Sequence, residues 1–545
     1  MVASVLAMIA AACTSDGDGG AQEEGDPQPG GELVVGLEAE TNSWLPGQGA
    51  FANPGNIVAL TFYDPLMVRL PSDEIVPYLA ESLEPNDDHS EWTLTLRSGV
   101  KFHDGTDLTA DVIETIFTEY LKVPTSNVFG SLAEVESFTA TGELTGVYKL
   151  TRGNVAFPDL LIGAIGWPFS IEAAEAAGED AGSAPVGTGP FEFASWERDD
   201  RLVVTRNASY WQEGLPYLDR VVFRPIPDEE TRLQSLLSGD VNVMQTLRQS
   251  TIRGARDVGD QVERHEFIGN NGGGAIFNTA VPPVDDARVR QGLAYAINQD
   301  DLVDILGGRD ITPVQTQWFN PGSPFYSEAA AEEWPAFDAT RAEELLGEYI
   351  NDPDRSDGKD VGDPIAVEFN CPPDPSLLEL SQAYQAFWSA VGVDVKLNQV
   401  EQATHIQNAI GSPQTDPPFV GDYMVNCWRM GGEGDPYNTF FNAFGPPAQQ
   451  PLNFTNYTSD VVNAQVEVLR TSTDAAERQA AVEAIMLHFA EAVPNLWTGS
   501  TAVLLASRPE VNGLLGWTTP GDDEGGLMGL GDGATTFFTS TWLAG

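Results

Sequence analysis

Hydrophobic and polar residues follow two periods along the chain, and together they predict strands mixed with helices from about residue 32 onward. Residues 92–97 alternate apolar and polar side chains with period two, as expected of a half-buried strand. After a turn, a helix is predicted to begin at Asp107 or Thr109, because apolar residues then recur every three or four positions. These residues are Val112, Ile113, Ile116, Phe117, Tyr120 and Leu121.

Other helices are indicated by the residues that begin and end them. The predicted first residues are Asp228, Asp285 or Asp286, and Asp474 in a capping box with Glu477, and two helix ends are marked by Gly239 and Gly392. Residues 376–391 form the helix that Gly392 ends, and an alternating strand follows over 393–397. No internal repeat is present, which favours one interleaved α/β body over serially linked domains.

The first thirty residues follow neither period. Residues 1–12 are apolar, too short a run to span a bilayer but typical of a signal-peptide core, and they end at Cys13. Ala-Ala-Ala-Cys resembles a bacterial lipobox, in which the Cys is lipidated, although no Lys or Arg precedes the run and Ala10 replaces the usual Leu. We expect a signal peptide over 1–12 and a lipid on Cys13, with a buried N-terminal helix as the alternative. Residues 13–31 are predicted to form a flexible tether, since they carry no apolar side chain larger than Ala after the Cys.

The charge balance excludes two classes of partner. The chain has 81 Asp and Glu against 27 Lys and Arg, a formal net charge of −54, and 42% of its residues are hydrophobic, enough for real cores. Nucleic acids and anionic membrane surfaces are both bound through basic side chains, so neither is an expected partner. The excess of carboxylates indicates either a salt-adapted source or an acidic proteome without such adaptation.

Motifs that carry catalytic or metal chemistry are missing from the sequence. The five His residues are scattered, no zinc-ligand spacing occurs, and neither a nucleophile elbow nor a phosphate-binding loop is present. His103-Asp104 is interpreted as part of a solvated turn. We therefore predict no enzyme, no catalytic residue, no metal and no cofactor. A secreted hydrolase is kept as a remote alternative, because glycosidases need only two carboxylates and 81 are available.

Six longer motifs occur in order between about residues 32 and 517. They are Trp92–Val112, Gly187-Thr-Gly-Pro-Phe191, Arg206-Asn207 with Tyr210-Trp211, Leu236–Val241, Asn278 with Asp286–Ile297, and Val391–Val395. Together they resemble the extracellular solute-binding proteins of the peptide and nickel type, family 5, which serve ABC importers. Most of the motif residues are interpreted as architectural: Gly187 and Gly189 mark a close backbone approach, and Arg288 and Arg290 are expected in ion pairs.

The resemblance implies an α/β, two-lobed periplasmic-binding-protein fold, type II-like and of cluster C, with an extra domain inserted in lobe one. Lobe one is mapped to residues 32–62, 186–280 and 499–545, the inserted domain to 63–185, and lobe two to 281–498. The ligand is expected in the cleft between the lobes, whose closure it stabilises by contacting both.

The same resemblance implies a function. The protein is expected to act as a monomer outside the cytoplasm, held to the cell membrane only by its lipid, and to deliver a captured solute to an ABC permease. Peptides are the leading ligand, and an oligosaccharide or another small polar solute is the alternative.

One segment of lobe two is expected to line the cleft. In peptide-binding relatives it carries a Trp, then an Asp that binds the α-ammonium of the ligand, then Asp/Glu-Pro. Here residues 427–441 correspond, and Trp428 and Asp435-Pro436 match. Gly432 stands where the anchoring Asp is expected, and Glu433 follows it. Either Glu433 reaches the ligand and preserves a charge-assisted bond, or a free peptide N-terminus loses its partner.

Three further side chains complete the candidate site. Arg429 is placed to meet a ligand carboxylate, with a surface or ion-paired role as an equal alternative. Tyr437 is expected to offer a stacking wall, and so is Trp44 of lobe one, for which a core role is favoured. The candidate ligand-binding residues are Trp428, Arg429, Glu433, Asp435, Tyr437 and Trp44.

The cysteines are few. If Cys13 carries a lipid, Cys371 and Cys427 are the only pair left, and both fall in the predicted lobe two. An oxidising compartment favours a disulfide between them. Two separately buried thiols are the alternative.

Overall fold

The computed structural model describes residues 27–49, 51–122, 132, 134–373, 375–409, 420–429, 434–447, 450, 452–520, 526–530 and 533–544. At 271–273, 375–376, 402–403, 406 and 429 only the backbone is described. The predicted signal peptide, Cys13, Gly432 and Glu433 lie outside the described residues, and so does the side chain of Arg429.

Twenty strands make up the described β-structure. They are β1 Glu32–Leu37, β2 Met67–Arg69, β3 Ile75–Pro77, β4 Ala80–Pro85, β5 Glu91–Leu96, β6 Val135–Ala140, β7 Thr145–Leu150, β8 Phe191–Glu197, β9 Arg201–Arg206, β10 Arg220–Pro225, β11 Val243–Thr246, β12 Glu263–Phe277, β13 Ala366–Cys371, β14 Asp394–Gln399, β15 Val425–Arg429, β16 Gly499–Ser507, β17 Val511–Asn512, β18 Met528–Leu530, β19 Gly533–Thr535 and β20 Trp542–Leu543.

Fourteen α-helices alternate with these strands in the described parts of the chain. They are α1 Asn53–Phe62, α2 Ala110–Lys122, α3 Ile171–Ala177, α4 Glu229–Ser238, α5 Gln249–Asp257, α6 Ala287–Tyr295, α7 Gln299–Ile305, α8 Glu328–Glu333, α9 Ala339–Ile350, α10 Pro375–Ala390, α11 Gln402–Ala409, α12 Pro436–Phe444, α13 Asp460–Thr471 and α14 Ala475–Ala492. Short 3₁₀ segments lie at Phe157–Leu161, Ala164–Gly166, Gly178–Ser183 and Gly259–Gln261. No helix among the described residues has both the length and the apolar character needed to cross a membrane.

Ten strands form one continuous sheet in the order β14-β13-β15-β12-β16-β11-β1-β10-β9-β8. The first three strands belong to the predicted lobe two, and the last five belong to the predicted lobe one. β12 and β16 lie between these groups and pair antiparallel with each other over most of their length. The two lobes are therefore joined by crossing strands, as the resemblance implied.

The long strand β12 changes partner part of the way along. Its first residues pair with β16, the register shifts between Ile268 and Gly272, and its last residues pair with β15. A Cβ on Gly274 would lie 1.9 Å from the carbonyl oxygen of Leu496, so only glycine permits this approach. In the sequence, the glycines at 269 and 272–274 interrupt the pattern of a strand.

A second, four-stranded antiparallel sheet has the order β4-β5-β7-β6 and lies within the predicted inserted domain. Helix α2 packs on it, with Ile113, Ile116 and Phe117 buried as the period of the sequence predicts. The hydrophobic core of this sheet is continuous with that of lobe one, whereas lobe two has a separate core. The exact domain bounds stay a prediction.

The family motifs pack against one another. The turn predicted at His103-Asp104 is present and Asp104 is exposed, whereas His103 is half-buried against the glycine motif. The Gly187 amide donates to His103 Nδ1 at 3.3 Å, and His103 Nε2 donates to the Gly189 carbonyl at 3.0 Å. Burial lowers the pKa of His103 to about 4, so the ring is neutral. A Cβ on Gly187 would lie 1.9 Å from the carbonyl oxygen of Phe62, which confirms the close backbone approach predicted there.

Two motif arginines differ in role. Arg288 pairs with Asp286 at 2.7 Å and with Asp352 at 2.9 Å, as predicted. Arg290 forms no ion pair among the described residues, so that prediction is wrong. Its guanidinium is buried and donates to the backbone carbonyls of Val284, Asp285, Ala492 and Val493, which joins the start of α6 to the end of α14.

Candidate functional site

A cavity of about 150 Å³ lies where the inserted domain, β12 and lobe two meet. It is smaller than the roughly 300–1,000 Å³ of ordinary ligand clefts. Its lining includes Arg69 and Ile75 from the inserted domain, Asn270 from β12, and Phe319, Asp435 and Arg478 from lobe two. One predicted site residue, Asp435, thus lies in a cavity between the lobes.

Asp435 lines this cavity with its carboxylate already bound. One oxygen caps helix α12 by accepting the Tyr437 amide at 2.8 Å, and Arg478 Nη2 donates to both oxygens at 2.7 and 2.6 Å. Burial raises the pKa of Asp435, and the charge of Arg478 opposes that rise. Because its acceptors are occupied within the protein, Asp435 shapes the cavity more than it offers a free charge to a ligand.

Arg69 presents a donor without a partner. Its side chain is 10% exposed and forms an ion pair with Asp159, while Nη1 donates to the Asp73 carbonyl at 3.3 Å. Burial disfavours the cation, but the neighbouring carboxylates outweigh it and the pKa of Arg69 is raised. Its Nε–H has no acceptor among the described residues. Leaving a buried donor without an acceptor has an energetic cost.

Trp428 is half-buried on β15, where its backbone lies opposite Gly274 of β12. Its ring stacks on His405 at 5.7 Å between centroids and packs against Phe454 at 4.4 Å. Burial lowers the pKa of His405, whose Nε2 donates to the Cys427 carbonyl at 2.9 Å. The indole is therefore held in one orientation beside the crossing strand, and its role as a wall stays a prediction.

Two predicted wall residues are buried instead. Tyr437 is 1% exposed because its hydroxyl donates to Glu134 at 2.6 Å and accepts from Arg152 at 3.0 Å, so its placement as an open wall is wrong. Trp44 is also 1% exposed and packs edge-on against Phe62 at 5.6 Å in the core of lobe one. Trp44 thus has the core role that the sequence favoured.

Arg429 places its backbone opposite Gly273 of β12, at the junction of the lobes. The contacts predicted for the Arg429 side chain and for Glu433 stay predictions, since both lie outside the described atoms.

Cys371 is the last residue of β13, and Cys427 lies within β15. A disulfide joins them in the structure, with their Cα atoms 5.0 Å apart. This separation is within the range that a disulfide spans. The bond ties the strand that carries Trp428 to the neighbouring parallel strand.

We expect that a thiol reagent will not modify Cys371 or Cys427 in the unreduced, denatured protein. Mass spectrometry of the alkylated protein, before and after reduction, measures this directly. Two alkylated cysteines before reduction would support the alternative of separate thiols.

The sequence missed four residues at this junction: Arg69, Asp159, Asn438 and Arg478. Asp159 and Asn438, which contact each other, lie 279 positions apart in the chain. No local pattern marks such a pair, because each residue lies in an unremarkable polar position of its own element. Among the residues that the structure describes, no group of three or more His, Cys, Asp or Glu side chains is arranged to hold a metal ion.

The chain is similar to known proteins in both sequence and structure. The family model described as bacterial extracellular solute-binding proteins, family 5 middle, matches residues 74–451. The glutathione-binding protein GsiB of Shigella flexneri serotype 5b is 30% identical over 305 residues, which are 53% of this chain and 56% of GsiB. The chain thus spans little more than half the length of this curated relative.

Two solved structures share the fold. DppA from Helicobacter pylori in complex with the peptide STSA has a TM-score of 0.76 and 19% identity over 95% of this chain and 98% of its own. The binding protein AgaA from A. tumefacien R10 in complex with agropinic acid has a TM-score of 0.76 and 24% identity, covering 94% of this chain and 99% of its own. The predicted two-lobed α/β fold is therefore confirmed. Because the family model covers well over half of the sequence, the chain belongs to the bacterial extracellular solute-binding proteins of family 5.

Proposed function

We propose that this protein is the extracytoplasmic substrate-binding protein of an ABC importer, capturing peptides between its lobes and delivering them to a membrane permease. The observation that carries the proposal is the cavity, which takes residues from both sides of the crossing strands. A solute held there contacts both lobes at once and so favours the closed arrangement.

The chemistry of the cavity suits a peptide. The Arg69 cation in the lining favours a carbonyl or carboxylate oxygen, while Phe319 and Phe325 supply apolar surface. Two related proteins support the same ligand class, since GsiB is named for glutathione and DppA was solved with a peptide.

A small polar solute other than a peptide is the second candidate. Gly432 stands where peptide-binding relatives carry the Asp that binds the ligand's ammonium. AgaA, which has the same fold, was solved with agropinic acid. A cleft without the anchoring carboxylate fits ligands that lack a free amine.

Identification of the bound solute tests the proposal. We expect native mass spectrometry of the purified protein to reveal a peptide, and titration with that peptide to shift the tryptophan fluorescence. Recovery of an oligosaccharide or another non-peptide solute would favour the second candidate. Recovery of a chemically altered solute after incubation would instead indicate a hydrolase.

Glu433→Gln separates the two ligand classes. If Glu433 binds a peptide ammonium, we expect calorimetry to show binding weakened by roughly 2–5 kcal/mol, as when one partner of a buried charge pair is removed. If the ligand is uncharged, Glu433→Gln has little effect, whereas Trp428→Ala weakens binding through lost stacking. Tight binding that requires a free amine yet ignores Glu433 would show that the segment 427–441 is aligned wrongly with its relatives.

Attachment to the membrane is proposed to depend on Cys13. We expect Cys13→Ser to release the protein from the membrane fraction into the surrounding medium, because the lipid is the only proposed anchor. Immunoblots of fractionated cells measure the distribution. Membrane association that survives this change would contradict lipidation at Cys13.

A further inference from the structure

The predicted inserted domain meets the two lobes through different kinds of contact. With lobe one it shares a hydrophobic core, in which Trp167 packs on Phe51 at 5.2 Å and Tyr78 stacks on Phe537 at 5.1 Å. With lobe two, its described contacts are mainly hydrogen bonds and ion pairs. Separation of the lobes therefore has to break these polar contacts, while the shared core keeps the inserted domain with lobe one.

Asp159 lies at the centre of the polar contacts. One of its oxygens pairs with Arg69. The other accepts the backbone amide of Asp435 at 3.0 Å and the side-chain amide of Asn438 at 2.9 Å. The Asp159 side chain is 10% exposed, and a Cβ on Gly434 would lie 3.2 Å from its Oδ2. The turn that begins α12 thus closes directly over this carboxylate.

A second group of contacts holds the same helix further along. Arg152 donates to the Tyr437 hydroxyl at 3.0 Å and lies over the ring of Phe441 at 5.1 Å. In the neighbouring helix α13, the carbonyl of Arg470 accepts from the Val155 amide at 2.9 Å. The inserted domain consequently contacts both α12 and α13, with Asp159 at the end of α12 next to the cavity.

We propose that Asp159 is a positioning residue for ligand binding. It is not part of the cavity lining, yet it contacts two residues that are, Arg69 and Asp435. By holding both, Asp159 fixes the distance between the guanidinium of Arg69 and the turn at Gly434–Pro436 when the lobes are closed. This inference rests on the proposed function of the cavity.

The variant Asp159→Asn keeps the shape and removes one of the two acceptor oxygens. Its amide nitrogen then faces either the Arg69 guanidinium or the donors of Asp435 and Asn438, so at least one of these contacts is lost. Because the contacts join lobe two to the inserted domain, their loss should speed ligand release more than it slows association.

Hydrogen exchange of the ligand-free protein gives the first measurement. We expect Asp159→Asn to raise the exchange rate at least tenfold over residues 434–444, with other segments unchanged. Asp357→Asn is the matched control, since Asp357 is similarly buried in an ion pair with Arg355 but belongs to the surface loop that follows α9. The control should leave exchange over 434–444 unchanged. Unaltered exchange there in Asp159→Asn would overturn the inference.

Titration with glutathione and with the tetrapeptide Ser-Thr-Ser-Ala gives the second measurement. For a probe that the wild-type protein binds, we expect Asp159→Asn to raise the dissociation rate at least tenfold, and Asp357→Asn to leave it unchanged. Faster exchange with an unchanged dissociation rate would also overturn the inference. If the wild-type protein binds neither probe, these two peptides are excluded as ligands, and the exchange result alone decides the role of Asp159.

Discussion

Asp64→Asn should stabilise the folded protein relative to wild type at pH 9 by on the order of 4 kcal/mol more than it does at pH 5. Asp64 is fully buried, where it accepts from the Trp211 indole at 2.7 Å and from the Tyr210 hydroxyl at 3.2 Å. Burial raises the pKa of Asp64 to about 8, against the two hydrogen bonds that favour the carboxylate.

The sign follows from the raised pKa. In the unfolded chain Asp64 loses its proton near pH 4, but in the folded protein it keeps the proton to about pH 8. Its contribution to stability is therefore complete below about pH 4 and is lost as pH rises through 8. Asparagine is neutral throughout, so the variant lacks this loss.

Denaturant unfolding of both proteins at pH 5, 7 and 9 measures the difference. Asp228→Asn serves as the control, because Asp228 is an exposed helix cap whose pKa is lowered, mainly by its hydrogen bonds to Thr231. Asp228 titrates below pH 5, so the effect of Asp228→Asn on the free energy of unfolding should be the same from pH 5 to pH 9. If the free energies of unfolding of wild type and Asp64→Asn differ by the same amount at pH 5 and pH 9, Asp64 titrates normally.

Arg478→Met should lower the free energy of unfolding by about 3–5 kcal/mol, the usual effect of leaving a buried charge without its partner. Arg478 is the cation that binds both oxygens of Asp435, and their side chains are 10% and 18% exposed. The guanidinium also donates to the carbonyls of Leu469 and Ser472, so it joins α12 to the connection between α13 and α14.

Denaturant unfolding near pH 7 measures this loss. Because Asp435 can take up a proton when its cation is gone, the loss should be smaller at pH 5 than at pH 8. Arg201→Met is the control: Arg201 pairs with Glu197 and Asp200 at the surface, about half exposed, and should change stability little. An equal effect of the two substitutions would contradict a structural role for the Arg478 and Asp435 pair.

Local chemistry made much of the fold predictable. Asp228 begins α4 by accepting the Thr231 amide, and Gly239 ends it with φ of +85°, as the sequence indicated. Asp474 begins α14, although the expected capping box is incomplete, since the Glu477 carboxylate accepts from Ser472. These contacts lie within a few residues of each other, so the order of residue types is enough to anticipate them.

The site was less predictable because its contacts are between distant residues. The motif around Trp428 and Asp435 pointed to a segment of lobe two in which Asp435 lines the cavity. It could not show that Tyr437 would be buried by Arg152 and Glu134, which lie 285 and 303 positions away. Arg69 lines the cavity only because the inserted domain packs against lobe two. No local sequence pattern predicts this packing.

The strand order of the main sheet has a consequence for how the chain is made. β16 is the central strand that pairs with β11 on one side and β12 on the other, and it comes only at residues 499–507. Until those residues leave the ribosome, β11 and β12 each lack a neighbour and both lobes have an open edge. Such late, long-range pairing slows folding. A nascent chain of this protein therefore stays unfinished for most of its synthesis, and a truncation before residue 499 removes one of the two strands that join its halves.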